Sequence, residues 1–98
     1  MRFELRYTPT AAAQRSALER DRNLRKRWKA VRKTLGMMET DLRHPGLNTH
    51  KCHSLRGANG EEVFEAYAEN RTPAAYRVFW HYGPAKGQLT IIAITGHP

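Results

Sequence analysis

The sequence predicts an α+β fold in one domain spanning residues 1–98: a small antiparallel sheet of about four strands packed against two N-terminal antiparallel helices. Three observations point there. Residues 2–7 alternate polar and apolar side chains. Leu24, Trp28, Val31, Leu35, Met38 and Leu42 recur at spacings of 4, 3, 4, 3 and 4. After residue 60, three apolar segments are joined by short links rich in turn residues. A chain of 98 residues buries roughly 65% of the surface its unfolded form exposes, enough for one core and too little for two.

Each element has a local reason. Phe3, Leu5 and Tyr7 fall on one side of the first segment, and Arg2, Glu4 and Arg6 on the other, the period of a half-buried strand. Thr8 can cap a helix, and Pro9 fits its first turn, where a missing N–H is harmless. Ala11 to Leu24 favours helix, with a break expected near Asp21 to Asn23. The Leu24 to Leu42 stripe then forms one face of a second helix, ended by His44-Pro45-Gly46. Leu47 to Ser54 reads as a polar stretch. Glu62 to Glu69, Ala75 to Tyr82 and Leu89 to Thr95 read as strands, linked by Gly57 to Gly60, Asn70 to Pro73 and Gly83 to Gly87. Short links of this kind favour an antiparallel meander.

Composition excludes several classes. No apolar run approaches the ~20 residues that span a bilayer, so no membrane association is expected. Glu4 stands where a signal peptide would have its apolar stretch. The single cysteine, Cys52, excludes an intramolecular disulfide and fits a reducing, cytoplasmic setting. His44, His50, Cys52 and His53 are of metal-ligating type, but their spacing matches no closed zinc pattern, so neither a metal nor another cofactor is expected.

Charge is more informative. The chain carries 17 Lys and Arg against 9 Asp and Glu, a formal net charge of +8. Nearly all the excess lies in residues 20–33, where Arg20, Arg22, Arg25, Lys26, Arg27, Lys29, Arg32 and Lys33 face Asp21 alone. Such a block repels itself unless a polyanion meets it. Nucleic acid is the first partner it suggests and an acidic protein the second; a merely solvated helix face is the third reading.

Five segments in order resemble the RelE/ParE toxin superfamily, the small basic toxins of type II toxin–antitoxin pairs. Phe3-Glu4-Leu5-Arg6-Tyr7-Thr8-Pro9 and the alanine-led helix after it resemble the family's opening. His53-Ser54-Leu55-Arg56-Gly57 is similar to its leucine–basic–glycine step. Val63-Phe64-Glu65-Ala66 resembles the next strand. Tyr76-Arg77-Val78-Phe79-Trp80 resembles its tyrosine–arginine–aliphatic strand, and Ile91-Ile92-Ala93-Ile94-Thr95-Gly96-His97 its closing strand and glycine–histidine. The resemblance implies the RelE/ParE toxin fold, a cognate acidic antitoxin, and a metal-independent endoribonuclease that cuts messenger RNA on the ribosome, close to ribosomal RNA, and so inhibits translation. ParE-like members instead bind DNA gyrase without being nucleases, and a non-toxic basic nucleic-acid-binding module of the same fold is a further alternative. The oligomeric state stays open.

Metal-free RNA cleavage needs a base for the 2′-hydroxyl, an acid for the leaving 5′-oxygen, and cations for the charge that grows on phosphorus. Arg77 stands where the resemblance places a phosphate-binding arginine. It alternates with Tyr76, Val78 and Trp80, so it is expected to face away from the core and present its guanidinium outward, or else to pair with Glu65 or Glu69 across the sheet. His97 stands where members place a terminal catalytic residue, and His53 where several carry a base, with Arg56 adding charge beside it. Tyr67 can stack on a nucleobase or aid proton transfer, or simply pack. Some ribosome-dependent members carry lysines at the positions of Glu65 and Tyr67. An acid at Glu65 is unusual in a phosphate site, and there it would serve as a base.

Overall fold

The computed structural model describes residues 2–96. The order is β1 (Glu4–Tyr7), α1 (Pro9–Arg20), a 3-10 turn (Arg22–Leu24), α2 (Arg25–Thr40), a second 3-10 turn (Pro45–Leu47), β2 (His50–Arg56), β3 (Glu62–Tyr67), β4 (Tyr76–Tyr82) and β5 (Gln88–Gly96). The α+β class is as predicted, but the sheet has five strands rather than about four, in the order β1-β5-β4-β3-β2. It is also mixed rather than antiparallel. Strands β3 to β5 form the expected meander and β2 extends it by one antiparallel strand, whereas β1 joins β5 in parallel, with Leu5 opposite Leu89 and Tyr7 opposite Ile91. The short links that favour hairpins constrain β2 to β5 only; β1 reaches its partner across nearly the whole chain.

The extra strand is β2, within the stretch read as polar. His50–Arg56 is exposed at every position but Cys52. An edge strand needs one backbone ladder and no apolar alternation, so periodicity gives no sign of it. Gly57 follows it. A Cβ at Gly57 would lie 2.3 Å from Glu61 Oε1, and that carboxylate accepts from the Asn59 N–H at 2.9 Å. Its own backbone N–H and that of Asn59 hold the Glu61 carboxyl below the usual carboxylate range. The glycine of the leucine–basic–glycine step therefore makes room for the acceptor that closes the β2–β3 turn.

The helices form as their residues dictate. The Thr8 side chain accepts from the Ala11 N–H at 3.1 Å, and Pro9 opens α1. The break falls where expected: Asp21 accepts from the Asn23 N–H at 2.9 Å and starts the 3-10 turn. Helix α2 ends at Thr40, short of His44-Pro45-Gly46, which go into the second 3-10 turn. Its stripe is core: Val31, Leu35 and Met38 are buried, with Leu24, Trp28 and Leu42 packed partly buried beside them. Buried Thr34 sets its hydroxyl 3.1 Å from the carbonyl oxygens of both Ala30 and Tyr67, tying α2 to the end of β3.

One hydrophobic cluster joins Ala11 and Leu18 of α1 and Val31, Leu35 and Met38 of α2 to Ala66, Val78, Trp80, Leu89, Ile91 and Ile94 of the sheet. The intervening residues Val63, Glu65, Arg77, Phe79 and His81 are also buried yet lie outside that cluster. By strand alternation they occupy the sheet's other face. Among the described residues, no helix is long and apolar enough to cross a membrane.

Leu89, near the start of β5, is fully buried between β1 and β4. Leu89→Ala is expected to lower the unfolding free energy by about 2–5 kcal/mol, measured by urea denaturation. Leu55→Ala, at an exposed position, is expected to stay within about 0.5 kcal/mol of the unsubstituted chain.

Candidate functional site

Strand register assembles a polar cluster on the face turned away from the helices. His50 pairs with Glu65, Tyr67 with Arg77, and Arg77 with Thr95. Residues directly opposite in adjacent strands share a face, so β2 to β5 each bring at least one of these side chains to one patch.

Arg77 lies on the face the alternation predicts, but its guanidinium is not presented outward. Its side chain is only 7% exposed. Nη1 donates to the carbonyls of Glu69 and, at 3.3 Å, Tyr76. Nε lies 3.4 Å from Glu65 Oε2. The Tyr67 ring covers the planar face, with Cζ 3.6 Å from its centroid. An arginine stacked on a phenol and fixed by two carbonyls is sealed by polar and aromatic groups, not by the aliphatic core. The cross-strand pairing with Glu65 is present, and it is buried rather than exposed.

Glu65 is equally enclosed, with a side chain 5% exposed. Its Oε2 faces Arg77, and its Oε1 lies 3.1 Å from Nε2 of His50. The other ring nitrogen of His50, Nδ1, lies 2.9 Å from the Asn48 carbonyl oxygen. A carbonyl only accepts, so Nδ1 carries a hydrogen. The contact between Nε2 and the carboxylate is then a hydrogen bond only if it holds a second proton, on the ring or on the carboxyl. Asn48 aims its carbonyl from a left-handed conformation, φ 49°, which asparagine tolerates better than most residues. Tyr67 meets the His50 ring edge-on, with centroids 5.7 Å apart. The Glu65 carboxyl thus lies between the Arg77 guanidinium and the His50 ring.

A cavity of about 540 Å³ opens on this face. His53 and Glu65 both line it, with Cys52 and Leu55 from β2, Phe79 from β4 and Thr95 from β5. His53 is exposed on β2, and Arg56 is exposed at its end, opposite Glu62. The structure therefore brings Glu65, Tyr67 and Arg77 into contact and sets His53 on the same cavity as Glu65. His97 lies outside the described residues. His50 is the member that the sequence marks only as a residue of metal-ligating type, because its pairing with Glu65 depends on the β2 register. Among the described residues, no three His, Cys, Asp or Glu side chains come together as a metal site.

The basic block is not uniform. Arg20, Arg22, Arg25, Lys26, Lys29, Arg32 and Lys33 are exposed along the end of α1, the 3-10 turn and α2. Arg27 departs from the expected free cation. Its Nε lies 2.9 Å from Glu69 Oε1, and its guanidinium stacks over the Tyr76 ring at 4.3 Å. The same Glu69 oxygen accepts from the Tyr76 N–H at 3.0 Å. Arg27 thus fixes the strand end whose carbonyls hold Arg77.

No protein-family profile and no curated protein sequence matches the chain. Solved structures do. The YoeB dimer from Staphylococcus aureus matches with a TM-score of 0.64 at 13% identity over 100% of both chains. The YoeB/ParE toxin from Agrobacterium tumefaciens gives 0.65 at 12% identity, covering 98% of this chain and 100% of its own. The archaeal RelE–RelB complex from Pyrococcus horikoshii OT3 gives 0.64 at 12% identity, covering 98% of this chain and 96% of its own. At such identities the likeness is one of fold. The chain has the fold of the RelE/ParE toxin superfamily, as the five sequence segments implied.

Removing one partner of a buried ion pair leaves the other charge uncompensated. Glu65→Ala and Arg77→Ala are each expected to cost about 3–5 kcal/mol of stability. The double variant is expected to fall short of their sum by at least about 1 kcal/mol. Additive losses in a denaturation cycle would show that the two side chains do not interact.

Proposed function

We propose that the chain is the toxin of a toxin–antitoxin pair and acts as an endoribonuclease on messenger RNA, without a metal. The observation that carries the proposal is the buried Glu65 carboxyl, bridged to His50 and Arg77 and lining the same cavity as His53. That set contains the groups a 2′-hydroxyl attack on phosphorus needs. His53 is the base for the 2′-hydroxyl. Glu65 and its shared proton serve the leaving 5′-oxygen. Arg77 supplies positive charge for the phosphorane-like transition state, and Tyr67 offers a ring to a nucleobase. The exposed cations of residues 20–33 hold the RNA backbone, messenger or ribosomal. An acidic antitoxin is the natural silencing partner for so basic a chain, by analogy with the RelE–RelB neighbour.

A second reading is favoured by one observation. The Arg77 guanidinium is covered, as a toxin of the ParE type that binds a protein target would allow. In that case the cluster is a structural anchor and the chain cuts nothing.

Arg77→Lys keeps the charge, so it spares the buried pair better than alanine, but it loses the planar fork. After induction in cells, the unsubstituted chain is expected to create new 5′ ends on ribosome-bound messenger, read by primer extension. Arg77→Lys is expected to reduce them about 100-fold or more. DNA breaks and an SOS response without new 5′ ends would favour the gyrase-type reading instead. For RNA binding, each phosphate-contacting cation contributes about 0.7 to the slope of log affinity against log salt on single strands. The double variant Arg25→Ala/Lys29→Ala is therefore expected to flatten that slope by about 1.4. An unchanged slope would remove these side chains from the interface.

A further inference from the structure

His50 lies 3.1 Å from Glu65 at Nε2 and 2.9 Å from the Asn48 carbonyl at Nδ1. Its side chain is 46% exposed, whereas that of Glu65 is 5% exposed. A ring open to solvent therefore lies within hydrogen-bond distance of a carboxyl that is nearly sealed from it. The groups facing this ring are Glu65 and Tyr67 on β3, with Arg77 of β4 behind Glu65. Lys33 of α2 and His44 share a second cavity with Tyr67.

We infer that His50 is a proton-relay residue that loads the buried Glu65 carboxyl from solvent, so that Glu65 can protonate the leaving 5′-oxygen. The inference rests on the RNA-cleaving function proposed above. The proton count closes. The bond from O2′ to phosphorus forms as the bond from phosphorus to O5′ breaks. The 2′ proton passes to His53 and then to water. The 5′-oxygen takes the proton shared by His50 and Glu65, which leaves a neutral ring and a carboxylate. The half-exposed ring then regains a proton from solvent, and the pair is restored. His50 acts through Glu65 and is a positioning residue in this sense. A glutamine at position 50 could keep a donor aimed at Glu65 but could not pass a proton.

The test uses the intact chain in two arms. In the first, RNA cleavage is measured for His50→Gln and His50→Ala across a pH series. Both are expected to lose about 100-fold in rate, and added imidazole is expected to restore His50→Ala. Full activity in His50→Gln, or no rescue by imidazole, overturns the relay. In the second arm, nitrogen-15 NMR follows the His50 ring at neutral pH. The expected result is a proton on Nε2, hydrogen-bonded to Glu65, that disappears in Glu65→Gln. A ring with no such proton, or one indifferent to Glu65→Gln, overturns the shared proton. An unsubstituted chain inert on RNA that still shows this proton overturns the function while supporting the pair; activity without the proton overturns the relay alone.

Discussion

The buried carboxylate of Glu65 is the constraint around which the helix-free face is organised. A charge taken out of water is tolerated only where opposite charge and hydrogen bonds replace its hydration. Here Arg77 and His50 do so from the two strands that flank β3. The demand fixes more than two contacts. Arg77 must lie flat to reach Glu65, so Tyr67 can cover it and the Glu69 and Tyr76 carbonyls can bind its far end. His50 must face inward from β2, so its edge strand has to keep register with β3 at that point even though it slips between Lys51 and Arg56. A sheet with one apolar face and one charged, half-sealed face follows from that arrangement.

The same network links the site to the helix layer. Helix α2 buries Val31, Leu35 and Met38 in the core while exposing most of the basic block outward. Between those two roles sits Arg27, bonded to Glu69 and stacked on Tyr76. Thr34 reaches the Tyr67 carbonyl two turns further on. The strand ends that hold Arg77 and Tyr67 are therefore braced by α2 itself. The helix proposed to hold the RNA backbone also braces the floor of the proposed catalytic centre, and rigid support of this kind is what oriented charge requires.

Much of this was legible in the sequence where a local physical rule applies. The Thr8 cap, the break at Asp21, the stripe from Leu24 to Leu42 and strands β3 to β5 all follow from periodicity or capping chemistry. So does the face on which Arg77 lies, since alternation decides it. Pairings between distant segments were not legible. The parallel join of β1 to β5 leaves no mark in short links. Strand β2 carries no apolar alternation, so periodicity gives no sign of it. The burial of Arg77 follows from Tyr67 folding over it, and no spacing encodes that. His50 was hidden for the same reason: a histidine and a glutamate 15 residues apart become neighbours only once the β2 register is known. In the sequence Arg27 is one cation among eight, and only its acidic partner just past β3, Glu69, sets it apart.

The central claim is that this cluster cuts RNA through the 2′-hydroxyl with no metal. The most direct measurement is the chemistry of the ends left on messenger RNA by the purified chain and translating ribosomes, with a chelator that removes transition metals but spares the magnesium the ribosomes need. The account predicts cleavage that leaves 2′,3′-cyclic phosphates on upstream fragments and 5′-hydroxyls on downstream ones. Intact messenger, or cleavage that leaves 3′-hydroxyl and 5′-phosphate ends, would contradict it.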